Sequence, residues 1–360
     1  MRRFLILFLI FQSAYLYSQE FSAELLSNIQ SNVTEVSGIV STIDHRIFVI
    51  GDSGNSPSVY ETNKQGEILN TILISNATNV DWEELQLDSN GSLYIGDIGN
   101  NLSQRQDLVI YKIPNFTDSL HRTEIDYSQQ IYFSYQDQTS FNPESTGEFD
   151  SEAFLVIDET IHLFSKDHGS SPLTKTYLFS AEPGTQTAIL TSQISNNRWL
   201  TGVTFNFFSD EIYFTSLDGV RVFCNYSLTG LALENCEINL TLFLDKQIES
   251  LSLLSSGEFL VAEDGENGVD SKLYSAFISC EHEPSVQTFP IPFDSNLEIR
   301  SDYVFFYIKI FTTQGQLLRE ELFSNGLKNT SIILDDLSSG IFILEVGGGS
   351  FRVVKNIRKD

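Results

Sequence analysis

Short apolar strands recur along the chain, each introduced by the same kind of polar phrase. A polar residue and a small or acidic residue precede an apolar one, a turn follows, and an apolar run then leads into a polar loop. Residues 35–39 lead in this way to residues 47–52, and residues 81–85 lead to residues 93–97. This alternation is typical of β-strands, and helix signals are scarce. The pattern therefore predicts an all-β protein.

Five copies of the phrase organise the central part of the chain. The equivalent positions are Gly38, Glu84, Ala153, Gly202 and Ser250, with spacings of 46, 69, 49 and 48 residues. A period of about 45–50 residues with short strands indicates a β-propeller with one copy per blade. We predict five four-stranded blades over residues 19–283, with the last blade closed by strands from both ends of this block.

The long interval between the second and third copies leaves the blade count open. We assign its surplus to a polar insertion around residues 115–146. The alternative is a degenerate blade in that segment, which would make a six-bladed propeller.

The beginning of the chain indicates export. Arg2 and Arg3 precede an apolar run over residues 4–11, and more polar residues continue to Ser18. This order is that of a secretory signal peptide, and the run is too short to span a bilayer. We predict a signal peptide over residues 1–18.

The end of the chain reads as a separate module. Three prolines in residues 284–292 suit a linker, and residues 293–360 alternate as expected of a small immunoglobulin-like β-sandwich. Its motifs, in order, are residues 289–293, residues 310–316, residues 337–344 and the basic residues 355–359. They resemble the C-terminal sorting domain of the type IX secretion system of Bacteroidota, with Ile291 in place of the usual Asn.

This resemblance implies a partner and a location. The module would be recognised by the type IX secretion machinery, and the protein would be secreted or attached to the outer cell surface. The alternative is a β-sandwich that serves only as a structural appendage.

Net charge limits the other partners. The chain has 48 acidic and 21 basic residues, a net charge of −27, while acids and bases nearly balance from Pro284 onward. An acidic field repels phosphate backbones, so we expect no nucleic-acid partner. Such charge attracts cations, and it keeps a secreted protein soluble; we expect a monomer.

Propeller geometry turns the repeat into a ring of side chains. The innermost strand of each blade lines the central channel, and the loops at one end form the usual binding mouth. If the phrase begins the innermost strand, carboxylates from several blades converge near that mouth. The predicted metal ligands are Glu83, Glu152, Glu249, Asp52, Asp97 and Glu263.

Converging carboxylates repel one another unless protonation, a basic partner or a cation compensates them. Oxygen ligands without His or Cys suit Ca²⁺ or Mg²⁺ better than zinc. The alternative is that most of these acids accept hydrogen bonds from backbone N–H groups at turns.

Polar residues are densest around the second copy of the phrase, where the run Gly96–Asn101 follows the strand. Glycine allows close backbone approach, so this loop can wrap an ion or ligand, or form tight turns. Arg105 can pair with Asp97 or Asp107 and hold the loop. The predicted residues of the ligand mouth are Asp81, Trp82, Asn100, Arg105, Asp150 and Lys166.

Two sequence phrases in this region resemble those of known propeller proteins. The Asp-Trp-Glu phrase at residue 81 and the Gly-Asp-x-Gly-Asn-Asn phrase at residue 96 resemble a group of secreted propeller proteins from Bacteroidota. The repeat phrases are similar to SdiA-regulated-type propellers and, more distantly, to regucalcin-like and phytase-like ones. Over residues 19–280 the resemblance implies the propeller fold and calcium binding, without a settled reaction.

Catalytic signals are few. The five histidines show no metal-binding spacing, and Ser53 lies outside any Gly-x-Ser-x-Gly elbow. We expect a binding protein whose ligand is a small molecule, a glycan or a protein. The alternative is a divalent-metal-dependent hydrolase of the lactonase, esterase or phytase-like kind.

Three cysteines follow the predicted signal peptide. Cys224 and Cys236 flank a plausible hairpin turn at residues 227–230, and export favours oxidation. We expect a disulfide between them, with Cys280 left as a free thiol.

Overall fold

The structure, a computed structural model, describes most of the chain. The described residues are 20–30, 33–42, 44–143, 147–167, 173–195, 199–206, 211–216, 219–223, 237–240, 247–255, 258–265, 269–279, 286–348 and 351–360. The predicted signal peptide and the predicted Cys224–Cys236 disulfide lie outside these residues. No helix in the described ranges is long and apolar enough to cross a membrane.

Short strands follow one another between Glu20 and Ser279 in the described residues. In chain order they are β1 (Glu20–Asn28), β2 (Val36–Ser41), β3 (Ile47–Gly51), β4 (Ser58–Thr62), β5 (Ile68–Ile74), β6 (Trp82–Leu87), β7 (Leu93–Asp97), β8 (Val109–Ile113), β9 (Glu124–Ile125), β10 (Gln129–Tyr135), β11 (Ser151–Ile157), β12 (Thr160–Ser165), β13 (Leu173–Ser180), β14 (Gly184–Ser195), β15 (Leu200–Asn206), β16 (Glu211–Ser216), β17 (Gly219–Phe223), β18 (Glu237–Leu240), β19 (Ile248–Ser255), β20 (Glu258–Glu263) and β21 (Lys272–Ser279). A single 3₁₀ turn, Phe116–Ser119, interrupts them within the described residues.

The strands group into antiparallel units of four. Within the described chain these are β2–β5, then β6–β8 with β10, then β11–β14, then β15–β18, and finally β19–β21 with β1. The first strands of the units, β2, β6, β11, β15 and β19, each contact the next, and β19 contacts β2. This closed ring of inner strands confirms the predicted all-β propeller fold.

The N-terminal strand completes the last unit. β1 pairs antiparallel with β21, from Glu20 opposite Ser279 to Asn28 opposite Lys272. The predicted closure by strands from both ends of the block is therefore observed. Such closure ties the first and last units of the ring together, so that neither end of the sheet series is left open.

The segment predicted as an insertion is only partly one. After β8 the chain crosses to the outer edge of the first unit, where β9 pairs in parallel with β5. It then returns as β10, which completes the second unit beside β8 and pairs in parallel with β14 of the third. The segment in which we placed the insertion, residues 115–146, therefore also contains β10, the fourth strand of the second unit.

The core lies between neighbouring units. Phe164 of the third unit packs edge-on against Phe214 of the fourth, with ring centroids 4.9 Å apart. Tyr213 of the fourth packs against Phe259 of the fifth at 4.5 Å. Aromatic pairs of this kind add about 0.5–1.5 kcal/mol to the burial of their surface. Each interface thus fixes the orientation of two inner strands relative to the channel.

The C-terminal module has its own sheet and core. Its strands are β22 (Val286–Phe289), β23 (Asn296–Thr312), β24 (Leu317–Ile333), β25 (Gly340–Gly348) and β26 (Phe351–Lys359). β23 lies at the centre, with β22, β24 and β25 paired to it, and β26 pairs with β25. Its buried residues, among them Phe293, Leu297, Phe305 and Leu344, form one cluster.

Small residues allow the inner strands to approach one another. A Cβ atom at Gly202 of β15 would lie 2.6 Å from the Glu249 carbonyl oxygen and 2.9 Å from the Cα atom of Ser250. Gly202→Ala should therefore push β15 and β19 apart and lower the free energy of unfolding by about 1–3 kcal/mol. Urea titration followed by fluorescence measures this loss.

The repeat supplies a matched control. Ala153→Gly changes the equivalent position of β11, where a Cβ is already accommodated, and should cost about 0.5–1 kcal/mol. A Gly202→Ala variant as stable as the wild type would contradict the close packing of inner strands.

Candidate functional site

Every inner strand begins with the same backbone irregularity. The pairing register of each first strand with its second shifts by one residue near the start, which is a β-bulge. The residue skipped by the register is, in order of units, Ser37, Glu83, Glu152, Thr201 and Glu249. A bulge re-aims a side chain relative to the normal alternation of a strand. It thus explains how five equivalent residues can share one end of the channel.

The two hydroxyl residues of this bulge ring join neighbouring units. Ser37 Oγ donates a hydrogen bond to the Trp82 carbonyl at 2.6 Å, and Thr201 Oγ1 donates to the Ile248 carbonyl at 2.6 Å. Each acceptor belongs to the residue immediately before the bulge glutamate of the neighbouring inner strand. The hydroxyls therefore hold the ring together, and the three glutamates supply its charge.

One lysine faces the three glutamates. The Lys166 ammonium forms an ion pair with Glu152 Oε1. Burial acts to lower the pKa of Lys166, but the charges of Glu152, Glu249 and Glu83 outweigh it and raise this pKa. Burial, followed by the charge of Glu152, holds the pKa of Glu83 and of Glu249 well above the ordinary glutamate value.

An acidic group lies at the rim of the ring. One carboxylate oxygen from each of Asp52, Asp81 and Glu83 lies within 4.8 Å of the others. Asp52 follows β3 of the first unit, whereas Asp81 precedes β6 and Glu83 lies in β6 of the second. Glu83 is buried, and the two aspartates are half-buried. This rim triad can therefore be reached from solvent.

Crowding of the rim triad raises the affinity of Asp81 for a proton. Burial, and then the charge of Asp52 and a hydrogen bond to it, raise the pKa of Asp81 to about 7, although Arg105 opposes the shift. Near neutral pH this group therefore needs a proton or another cation to relieve its repulsion.

The loop after β7 fits closely against the triad. A Cβ atom at Gly99 would overlap Asp81 Oδ2 and Glu83 Oε1. Gly99 thus leaves open the space that the two carboxylates share, and any larger residue would displace them. This is the use of close backbone approach that the sequence suggested for the loop.

Arg105 and Asn100 hold this loop in place. Arg105 Nη2 donates to Asp97 Oδ1 at 2.8 Å, Nη1 donates to the Gly99 carbonyl at 2.8 Å, and Nε donates to Asp107 at 3.1 Å. The Asn100 N–H donates to Asp150 Oδ1 at 2.6 Å. These predicted mouth residues serve to position the loop, and they direct Gly99 toward the triad.

Asp97 and Glu263 were predicted as metal ligands, but they are not part of the carboxylate group that contains Asp52. Asp97 accepts hydrogen bonds from the backbone of Val80 and Asp81, at 3.2 and 3.0 Å, besides its ion pair with Arg105. Glu263 pairs with Lys272 at 2.9 Å and accepts a hydrogen bond from Tyr274. Both acids therefore have partners of their own outside the group that contains Asp52, and we leave them out of that group.

The cause is a slip of one residue in the sequence alignment of the repeats. Backbone N–H groups of Asp52, Ile98, Lys166 and Asp264 donate to the residue two before each bulge residue, so these four are the true equivalents. A shift of one residue in a strand turns the side chain to the opposite face. Asp264, which sequence reasoning missed, is the counterpart of Asp52, and its charge raises the pKa of Glu249.

Trp82 is not available at the mouth. Its side chain is fully buried, its Nε1 donates to the Thr78 carbonyl at 2.7 Å, and its ring packs against Tyr111. The prediction failed because the residue before the bulge faces the core between units. Trp199, in contrast, is 36% exposed, and its ring centroid lies 5.9 Å from Lys166 Nζ.

Glu84 is a second residue that sequence reasoning missed. It is fully buried in β6, yet its Oε2 accepts the Val203 N–H at 3.0 Å and its Oε1 accepts the Ser250 hydroxyl at 3.3 Å. These partners belong to the fourth and fifth units, so the side chain spans the channel. Gln86 reinforces the crossing with a 2.9 Å hydrogen bond from Nε2 to the Val203 carbonyl.

A signal for Glu84 was present in the repeat. The equivalent positions carry Gly38, Ala153, Gly202 and Ser250, all small, and only this unit carries a long acidic side chain. A small residue in four copies marks a crowded place near the axis. A glutamate in the fifth copy must then cross the channel and find hydrogen-bond donors there.

Comparison with known families places the C-terminal module. A family model described as the secretion system C-terminal sorting domain matches residues 287–359. The predicted location is confirmed: the protein is exported through the type IX secretion system to the cell surface or the extracellular space. The sorting domain implies contact with that secretion machinery.

Comparisons of the whole chain give only distant likenesses. The PQQ-bound aldose sugar dehydrogenase of Streptomyces coelicolor is 8% identical over 73% of this chain and 100% of its own, with a TM-score of 0.45. The apo aldose sugar dehydrogenase of Escherichia coli is 9% identical over 73% and 100%, with a TM-score of 0.43. A gluconolactonase of Xanthomonas campestris is 8% identical over 68% and 72%, with a TM-score of 0.37. No curated protein matches the sequence. At these values no activity is transferred to this chain.

The pKa of Asp81 gives a pH test of the triad. Its folded value of about 7 lies above the ordinary aspartate value of about 3.9 expected in the unfolded chain, so the folded state binds this proton more tightly. The resulting stability is present below the unfolded value and is lost as pH rises from about 4 to about 7. In chelator, the melting temperature of Asp81→Asn should therefore rise relative to that of the wild type as the pH increases over this range.

Asp107→Asn is the control, since this exposed acid pairs with Arg105 outside the triad. Its melting temperature should change with pH in parallel with the wild type. Parallel curves for Asp81→Asn would show that the triad does not share a proton.

Proposed function

We propose that this exported propeller is a binding protein that holds one divalent cation, Ca²⁺ or Mg²⁺, at the mouth of its channel. The rim triad of Asp52, Asp81 and Glu83 would bind the cation, and the surrounding loops would bind a small molecule, a glycan or a protein. The observation that carries the proposal is the convergence of three carboxylates whose oxygens lie within 4.8 Å of one another, two of them, Asp81 and Glu83, beside Gly99.

The donor set fits such an ion. Each ligand atom is a carboxylate oxygen, the donor that Ca²⁺ and Mg²⁺ prefer, and no histidine or cysteine belongs to the triad. The triad draws on two units whose relative position is fixed by a buried core that includes Phe48 and Trp82. A preformed group of this kind loses little entropy on binding, and a cation would remove the repulsion that raises the pKa of Asp81.

The hydrogen-bond partners of Arg105 and Asp97 support the same proposal. Asp97 accepts a hydrogen bond from the Asp81 N–H. Arg105 forms an ion pair with Asp97 and donates a hydrogen bond to the Gly99 carbonyl. The positive charge of Arg105 is therefore offset by Asp97 beside the triad. The partners of these two residues favour cation binding over anion binding at this position.

One observation favours the alternative of a metal-dependent hydrolase. The pKa of Asp81, about 7, is in the range that suits a general base at neutral pH. In that case Asp52 and Glu83 would hold the cation, and Asp81 would stay unbound and accept a proton from water. Activity on a panel of lactones, esters and phosphate esters that is lost in Asp81→Asn would select this alternative over simple binding.

Calcium should stabilise the folded protein by mass action. At a concentration about 100 times its dissociation constant, a bound ion adds about 2.7 kcal/mol, or a rise in melting temperature of about 5–10 °C for a domain of this size. Asp52→Asn and Glu83→Gln should each abolish most of this rise, measured by thermal unfolding with calcium, magnesium or chelator.

Glu263→Gln is the matched control, because Glu263 was a candidate ligand by sequence but is held by Lys272 and Tyr274. It should keep the full calcium effect. A wild-type melting temperature unchanged by millimolar calcium and magnesium would refute the proposed cation site.

Passage from the periplasm to the outside of the cell should depend on the C-terminal module. Deletion of residues 284–360 removes the strands matched by the sorting family while leaving every strand of the ring. We expect the shortened protein to stay in the periplasm as a folded protein with a calcium response. Immunoblots of medium, surface and periplasm measure this, with full-length Asp52→Asn as the exported control. Efficient appearance of the shortened protein in the medium would contradict the assignment.

A further inference from the structure

Lys166 occupies a position that is acidic in two other units. Its equivalents by backbone hydrogen bonding are Asp52, Ile98 and Asp264. The Lys166 N–H donates to the Asp150 carbonyl at 2.8 Å, as the Asp52 N–H donates to the Glu35 carbonyl at 2.9 Å. The backbone framework is thus the same in these units, and the third unit places an ammonium where the first and fifth place a carboxylate.

The ammonium lies inside the bulge ring. Lys166 is 8% exposed, and its Nζ pairs with Glu152, which is itself 5% exposed. The charges of Glu249 and Glu83 also act on Lys166, and the ring of Trp199 lies 5.9 Å from Nζ. A buried ammonium is costly unless carboxylates surround it, and here three of them come from three different units.

We propose that the Lys166 ammonium is the cation that compensates the glutamates of the bulge ring. It pairs with Glu152, and it confines an external divalent cation to the rim triad of Asp52, Asp81 and Glu83. Because the ammonium is part of the chain, its local concentration beside these glutamates is high whatever the ionic composition of the solvent. The bulge ring therefore needs no metal ion. This goes beyond the proposed function, because it assigns a cation to the bulge ring whether or not the rim binds one.

The inference predicts what happens when the ammonium is removed. Lys166→Met keeps most of the apolar stem but removes the ammonium that pairs with Glu152. Breaking a buried ion pair by removing one partner is strongly destabilising, because the remaining charge is uncompensated. Glu152 and Glu249 then offer buried carboxylate oxygens without the Lys166 ammonium, and such oxygens are the ligands that a hard divalent cation prefers. The variant should therefore gain a calcium ion that the wild type does not bind.

The test compares the two proteins with and without calcium. In chelator, Lys166→Met should unfold at a clearly lower temperature than the wild type, and millimolar calcium should close most of this gap. Equilibrium dialysis with radioactive calcium should give one more bound ion per chain in Lys166→Met than in the wild type. Lys166→Arg, which keeps the charge, should bind the wild-type number.

Lys175→Met is the matched control. Lys175 is also a buried lysine of the third unit with two carboxylate partners, Asp137 at 2.8 Å and Glu148 at 2.5 Å, but these lie outside the ring and are partly exposed. This variant should lose stability in chelator without regaining it in calcium. Its loss shows what removal of any buried lysine costs.

Two results would overturn the inference. One is a Lys166→Met variant as stable as the wild type in chelator; the other is a destabilised variant with no additional calcium and no recovery. If Lys166→Met does not fold, the double variant Glu152→Gln, Lys166→Met should fold in chelator, because the charge has been removed with its partner, and failure of that variant to fold would contradict the inference. A wild type that binds no calcium refutes the rim site alone, since the recovery of Lys166→Met is measured against it.

Discussion

Repulsion between carboxylates at the axis is the interaction around which the mouth of this propeller is arranged. The inner strands close into a ring and each begins with a bulge, so Glu83, Glu152 and Glu249 come to one end of one channel. Two like charges about 5 Å apart repel by about 3 kcal/mol at an effective dielectric constant of about 20. Because a whole domain is stable by only about 5–15 kcal/mol, such a cluster cannot remain uncompensated.

The compensation differs with depth along the channel. Deepest, Glu84 accepts hydrogen bonds from Leu85, Val203 and Ser250, and a satisfied polar network of this kind makes a crossing point between units rigid. In the ring, Lys166 supplies a positive charge from the chain itself. At the rim, Asp52 and Asp81 are half-buried and share a hydrogen bond, and the charge of Arg105, which is paired with Asp97, relieves Asp81 only in part. The need for an external cation is therefore concentrated where solvent has access.

The fold was more predictable from sequence than the site. The repeat phrase located the inner strands and the glutamates of the bulge ring, because a bulge in every unit requires the same local pattern. Trp82, Asp97 and Glu263 were misassigned because orientation depends on register, and a slip of one residue exchanges the core face for the channel face. Ion-pair partners such as Lys272 for Glu263 are set by cross-strand pairing, which the local sequence does not reveal.

Residues of the long segment between β8 and β11 show a different limit. Their polar composition suggested an insertion, yet β10 is needed to complete the second unit, because the chain first visits the edge of the first one. Tertiary pairing decided this, although the buried residues Ile131, Phe133 and Tyr135 alternate along the sequence of β10. Glu84 was the opposite case: its contrast with four small residues was visible in the repeat, but its meaning required the closed ring.

Anomalous scattering from crystals of the full-length protein grown in calcium tests the central claim most directly. The account predicts one calcium peak at the channel mouth, in contact with Asp52, Asp81 and Glu83, while Lys166 stays paired with Glu152. A peak between Glu152 and Glu249, or a mouth without calcium at saturating concentration, would contradict it.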